Sequence, residues 1–420
     1  MSLAFTPADI LLPKDTDMNK WAVVACDQYT SEPEYWEKVE KLVGDERSAY
    51  KLILPEVYLE APGLEYRIDR IHRTMKEYLD EGVFIEYKDA LIYVERTQSD
   101  GKLRAGVVGA IDLTQYEYYK GSESQVRATE ATVVERIPPR MKIRKGAPIE
   151  LPHIMILIDD VKKEIIEPLA AKKEGFEKLY SFELMAGGGK VEGWLIDETT
   201  RAGIMERLEK FSSPEAFKER YGMEGTAPLT FAMGDGNHSL ATAKEFYETL
   251  KQKEPGKDLS GHPARYALAE IVDLHSPALE FEAIHRIVTN VDVSLLLEKL
   301  TEKLDLREEE SGQRITVVEN GEERTVYVHA PLSKLAVGSL QSALDKLLPE
   351  MGGKVDYIHG ADVVRELSKK ENSVGFLLPD MHKSELFPTV ICDGALPRKT
   401  FSMGHAEDKR FYVEARKISG

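Results

Sequence analysis

At 420 residues, with 42% hydrophobic and 31% charged side chains, the chain exceeds what one core usually serves and has the composition of a soluble protein of two or more lobes. Its 73 acidic against 56 basic residues leave a formal charge of -17, so bulk electrostatics exclude nucleic acid and anionic membrane as expected partners. The 2 cysteines, Cys26 and Cys392, are too few for a disulfide framework, and no apolar run approaches the roughly 20 residues of a membrane span; the expectation is an unprocessed, cytoplasmic protein.

Strand-length apolar runs alternate with helical periodicities, which predicts an α/β chain with mixed sheets, helices on their faces, and two lobes with a cleft between them. Trp21-Ala22-Val23-Val24-Ala25-Cys26 predicts a buried strand running into Asp27-Gln28-Tyr29, after which Thr30 or Ser31 caps a helix from Pro33. Leu64 to Leu79 predicts an amphipathic helix with Ile68, Ile71, Met75 and Leu79 on one side. Asp100-Gly101 predicts a hairpin between Ala90–Val94 and Gly106–Val108. Gly187-Gly188-Gly189-Lys190 lacks the outer glycine, the following hydroxyl residue and the helix of a nucleotide loop, and predicts a hairpin turn between strand-like flanks.

The most informative segment is Phe231-Ala232-Met233-Gly234-Asp235-Gly236-Asn237-His238-Ser239, an apolar run that ends in a glycine turn and opens onto an amphipathic helix. Glycines flanking Asp235 permit a close ligand approach, and the free N–H groups of the helix start favour an anion. Asp235 or Asn237 can cap this helix, and His238 in its first turn can donate a proton or hydrogen bond. The alternative is a capped turn whose histidine only packs.

Leu279 to Ile284 predicts a strand with His285-Arg286 at its end, facing a cleft or, alternatively, a core histidine beside a surface arginine. Asp292 caps a helix to Leu304, and the acidic stretch Asp305 to Arg314 is the expected junction. The main lobe is therefore placed at 1–305, and a smaller lobe at 306–420 contributes Lys399 and Thr400. Within the latter, Asn320-Gly321 predicts a hairpin, and Val355–Ile358, Ala361–Lys369 and Val374–Leu378 predict a strand, a helix and a strand.

Two basic stretches stand out in an acidic chain. Arg127 to Lys145 holds six basic residues, of which Arg127 and Arg136, with Glu130 between them, are candidates for holding substrate carboxylate or phosphate; Lys142 to Lys145 reads as solvated surface. Lys399 with Thr400 can neutralise and hydrogen-bond a phosphoryl oxygen. The paired histidines of a zinc hydrolase and the Gly-x-Ser-x-Gly elbow are absent from the sequence.

Taken together these segments resemble the bacterial and archaeal domain-of-unknown-function family 1015, over nearly the whole chain. Its hallmark Asp-Gly-His-His-Arg stands here as Asp235-Gly236-Asn237-His238-Ser239, followed in order by counterparts at His285-Arg286 and Pro397 to Thr400, and preceded by the Glu-x-Thr region at Glu130 to Thr132. The Asp-Gly-x-His turn is also similar to that of the ParB and sulfiredoxin superfamily, which includes free-serine kinases. The resemblance implies a nucleotide-dependent phosphotransferase acting on a small phosphometabolite, free serine or phosphoserine first, with ATP or ADP and Mg²⁺ shared between Asp235 and the nucleotide. It further implies that Gly234, Gly236, Asn237 and Ser239 line the phosphate, that His238 and Lys399 stabilise phosphoryl charge, and that Asp27 or Glu32 accepts the substrate proton. Ser239 replaces the hallmark arginine, for which Arg286, beside His285, or Lys399 is the expected substitute. The competing expectation is a non-catalytic nucleotide or phosphometabolite sensor on the same turn.

Overall fold

The alternation of apolar runs and helical periodicities folds into 11 α-helices and one large mixed sheet with several small ones among the described residues, an α/β architecture. The computed structural model describes residues 2–130, 132 and 134–419. The chain divides into two compact units: Met1–Ala128, Thr132–Leu279 and Gly404–Gly420 form the first, and Thr129–Ala131 with Glu280–Met403 form the second. The division at Glu280 precedes the acidic stretch expected to carry it. Asp305 instead ends the helix Val293–Leu304 in a left-handed conformation and leads into the short strand Leu306–Arg307, inside the second unit.

The first unit is built on a 10-stranded sheet. Within it, Met155–Ile158 runs parallel to the central strand Tyr266–Asp273 on one side and antiparallel to Phe231–Asp235 on the other. Both faces are apolar because successive side chains of a strand point to opposite sides. In Leu103–Asp112, Val108 and Ala110 join the cluster holding Trp21, Trp36, Ile71 and Met75, while Val107 and Ile111 join the one holding Ile156, Phe231 and Leu240. Leu64–Asp80 is helical as expected and buries Ile68, Ile71 and Met75. The helix Pro33–Val43 starts at its proline, with Glu32 rather than Thr30 or Ser31 at the cap.

The expected strand at 21–26 is mostly not one. Asp17 accepts a hydrogen bond from the N–H of Asn19 and starts the short helix Met18–Trp21, leaving only Val23–Val24 to pair, antiparallel, with Phe411–Tyr412. Gly187–Gly189 turns a hairpin that pairs Glu183 with Lys190. Ile92–Thr97 and Leu103–Asp112 pair around Asp100-Gly101.

The second unit holds an antiparallel sheet of six strands, with Gln313–Glu319 and Ser373–Leu377 at its centre and His285–Thr289 next to the latter. Asn320 and Gly321 sit at φ 52 and φ 85, the left-handed pair that a two-residue hairpin requires. His285 and Arg286 open the strand His285–Thr289 instead of closing the preceding one, which spans only Phe281–Ala283. No helix among the described residues is long and apolar enough to cross a membrane.

Candidate functional site

Four strand ends in the first unit bring distant residues together. Asp235 closes Phe231–Asp235 opposite Met155, where the register slips by a bulge before Ile156. Pro152 and His153 therefore lie beside the glycine turn. The pairing of Val23–Val24 with Phe411–Tyr412 places Cys26 and Asp27 next to Lys409 and Arg410, and the Ala25 N–H donates to the Arg410 carbonyl at 3.0 Å.

Gly236, at φ +80, is the residue before the helix Asn237–Lys253, so neither Asp235 nor Asn237 provides a side-chain cap. Asp235 Oδ1 accepts the Gly236 N–H, at 2.9 Å, and its Oδ2 lies 3.3 Å from Lys409 Nζ. Among the described residues nothing accepts from the N–H groups of Asn237, His238 and Ser239, and Asn237 Oδ1 and His238 Nε2 are buried without hydrogen-bond partners. A Cβ at Gly236 would stand 3.1 Å from Ile154 Cα and 3.4 Å from the His153 ring. Gly236→Ala is accordingly expected to lose about 1–2 kcal/mol in urea unfolding, the cost of a side chain in left-handed backbone.

His153 is the hub. Its Nε2 lies 3.1 Å from Ser239 Oγ and 3.6 Å from Asp27 Oδ2, and its Nδ1 lies 2.8 Å from the Tyr412 hydroxyl, whose oxygen accepts the Cys26 N–H at 3.0 Å. Burial opposes its charged form, but the carboxylates of Asp27 first, then Asp235 and Glu56, together outweigh burial and hold its pKa above the ordinary 6.5. Burial likewise opposes ionisation of Asp27, and His153 first, with the Gln28 hydrogen bond and Lys409, overrides it, so that this carboxyl titrates well below its usual range. The sign follows for each. His153 contributes stability that is present below its unfolded pKa and lost as pH rises through the raised folded value, whereas Asp27 contributes stability present above its unfolded pKa and lost as pH falls through the lowered one.

His238 behaves oppositely. Burial first, then the Arg140 and Arg136 guanidinium groups, push its pKa down to about 4, which leaves a neutral ring at the helix N-terminus. In a histidine NMR titration, His238 is expected to stay neutral throughout about pH 5–8 while His153 loses its proton above 6.5; the opposite order would contradict the arrangement.

Gly234 packs against Leu157, where a Cβ would meet its Cγ at 3.0 Å. Arg136 is exposed and next to His238 in charge, whereas Arg140 is paired with Glu56. Arg127 is buried and braces loops, donating to the Ser124 and Ala227 carbonyls at 2.8 Å each, which leaves little of it for a substrate. Glu32 is exposed, and among the described residues no hydrogen bond or ion pair joins its side chain to the Asp27 cluster.

Glu130, His285, Arg286, Lys399 and Thr400 belong to the second unit. There Arg286 is fully buried and four of its five N–H groups are taken: by Gln341 Oε1 at 3.0 Å, by the Ile284 and Lys399 carbonyls at 2.6 and 2.9 Å, and by the Arg398 carbonyl at 3.1 Å. It fastens the chain around Lys399 and has no fork free to replace the hallmark arginine. Glu130 faces the backbone N–H groups of Lys399 and Thr400, the Thr400 hydroxyl donates to the Pro397 carbonyl at 2.6 Å, and His285 Nδ1 accepts the Leu378 N–H at 3.2 Å. Lys399 is exposed, at φ 59.

His153, Lys409 and Tyr412 had no signal in the sequence beyond their residue types. His153 precedes the apolar run Ile154–Ile158, and a polar residue at the mouth of a buried strand is the one cue that could have found it.

No curated protein matches the chain. Among solved structures it is similar to a conserved hypothetical protein from Pyrococcus furiosus (TM-score 0.36, 12% identity, 74% of this chain and 95% of the other). It is also similar to a free serine kinase in complex with AMP (0.38, 13%, 74% and 91%). A third is C-terminally truncated SbnI from Staphylococcus aureus (0.38, 8%, 74% and 87%). At such scores and identities the similarity carries neither ligand nor activity to this chain. The sequence profile of a protein family of unknown function, DUF1015, matches residues 7–347, and the chain belongs to that family.

Proposed function

We propose that the first unit's glycine turn holds a phosphoryl group and that the protein is a nucleotide-dependent phosphotransferase for a small phosphometabolite, free serine or phosphoserine first. The observation that carries this reading is the helix start at Asn237–Ser239, where, among the described residues, three N–H groups and a neutral, buried His238 Nε2 lack partners, with Lys409 on the adjoining Asp235. Phosphoryl transfer needs positive charge and N–H donors around the moving group, in-line positioning and an orienting carboxylate, and little else from the protein. Here the N–H groups, His238 and Lys409 face the phosphoryl oxygens, with Arg136 at the rim. Asp27 rather than Glu32 orients the acceptor hydroxyl; its low basicity suits a loose transition state in which the proton leaves late. Asp235 fits Mg²⁺ held by one carboxylate and the phosphates of ATP or ADP, since among the described residues its Oδ2 is engaged only by Lys409, at 3.3 Å. Magnesium supplies neutralisation of phosphate charge.

A second reading, a nucleotide or phosphometabolite sensor, draws on Ser239 standing where the family hallmark carries arginine. Incubation with magnesium, ATP and L-serine separates the two. Consumption of nucleotide supports the enzyme, a rise in melting temperature without consumption supports the sensor, and neither effect contradicts both.

A further inference from the structure

An apolar cavity of 140 Å³ opens beside His153 and Ser239. Its walls include Leu52, Leu54, Met75, Ile143, Leu151 and Ile154, all in the first unit. Its boundary carries two ion pairs, Glu56–Arg140, 14% and 12% exposed, and Arg144–Glu150 at 2.6 Å, and the polar side chains of His153, Ser239, Thr242 and Tyr412 on the side of the glycine turn. Serine has no apolar group to place in such a space. A cavity of about 150 Å³ with aliphatic walls takes up an aromatic ring, and small-molecule sites combine apolar walls with a few fixed polar groups. Because Ser239 and Thr242, one helical turn apart, both line the cavity, it runs along the first turn of the helix whose N–H groups face the phosphoryl position.

Building on the phosphoryl-site reading above, we infer that this cavity is the nucleobase subsite, so that one ligand spans both: its anionic end on Asn237–Ser239 and a flat purine ring between the aliphatic walls. The ring's faces meet Leu54, Ile143 and Leu151, and its polar edge meets the carboxylate and guanidinium of Glu56 and Arg140, which can accept an amino N–H and donate to a ring nitrogen. Serine is then the second substrate, outside the cavity.

Isothermal titration with adenosine and, separately, with inorganic tripolyphosphate tests this. Ala147 is a buried, small wall residue outside the helix start, so Ala147→Phe fills the cavity and leaves the residues of the helix start unchanged; Leu59→Trp, at a half-buried wall position, serves if the first variant does not fold. The expected result is that the native protein binds both probes and that the filled variant loses at least tenfold in adenosine affinity while holding tripolyphosphate as before. Tripolyphosphate binding without adenosine binding overturns the nucleobase subsite and leaves the phosphoryl site standing. Adenosine binding that survives in a folded variant places the base elsewhere and also overturns it. Failure of tripolyphosphate alone counts against the phosphoryl reading and not against the cavity.

Discussion

Arg410→Met is expected to destabilise the first unit by about 3–5 kcal/mol, the usual loss when one partner is removed from a buried charge cluster. Arg410 Nε donates to Glu270 Oε2 at 2.9 Å, Nη2 to Glu414 Oε2 at 2.7 Å and Nη1 to the Pro152 carbonyl at 2.7 Å. The three side chains are 5%, 2% and 1% exposed. Burial opposes the guanidinium charge, but Glu414 and Glu270 outweigh it and raise its pKa. Methionine matches the length and leaves two carboxylates in an apolar interior, with Tyr180 on Glu414 at 2.5 Å and Arg104 3.7 Å from Glu270 as the remaining support. Urea denaturation followed by circular dichroism measures the loss. The variant Arg410→Met with Glu414→Leu is expected to recover part of it, because the second uncompensated charge goes too. A loss under about 1 kcal/mol would contradict the account. Since Arg410 also holds Pro152, beside His153, the single variant is expected to loosen the site as well.

His238→Ala is expected to lower kcat by at least about 100-fold, the size of effect seen when one preorganised donor to developing charge is removed. Stability should hardly change. Among the described residues nothing bonds to the buried His238 Nε2, and the ring's neutral state is itself imposed by burial and two arginines, so truncation breaks no hydrogen bond seen at that atom. A packing histidine gives the reverse pattern, lowered unfolding stability with unaltered turnover. His238→Gln, which keeps an N–H in reach, is expected to recover part of the rate.

Local signals made much of the fold legible. Pro33, Asn320-Gly321 and the stripe Ile68-Ile71-Met75 each act within a few residues, and the elements they predict are present. The glycine turn was legible for the same reason. Its partners were not, because His153, Lys409 and Tyr412 reach it through two-residue strands at 23–24 and 411–412 and a bulge at Met155, which leave no periodicity to read. Nor does a residue type disclose its state. Arg127, in a basic stretch, and Arg286, after a histidine, are both arginines, yet Arg127 donates to the Ser124 and Ala227 carbonyls and Arg286 to the Gln341 side chain and three backbone carbonyls, a role decided by burial. The return of Gly404–Gly420 to the first unit, after the second is complete, likewise has no local mark.

Phosphorus NMR of the purified protein with magnesium tests the central claim most directly, with ATP and L-serine in one tube and ADP and L-phosphoserine in another. The account predicts a phosphoserine or new nucleotide signal that disappears in folded His238→Ala. Unchanged spectra from the native protein in both tubes would contradict phosphotransfer, and a signal that persists in the variant would contradict its location at the glycine turn.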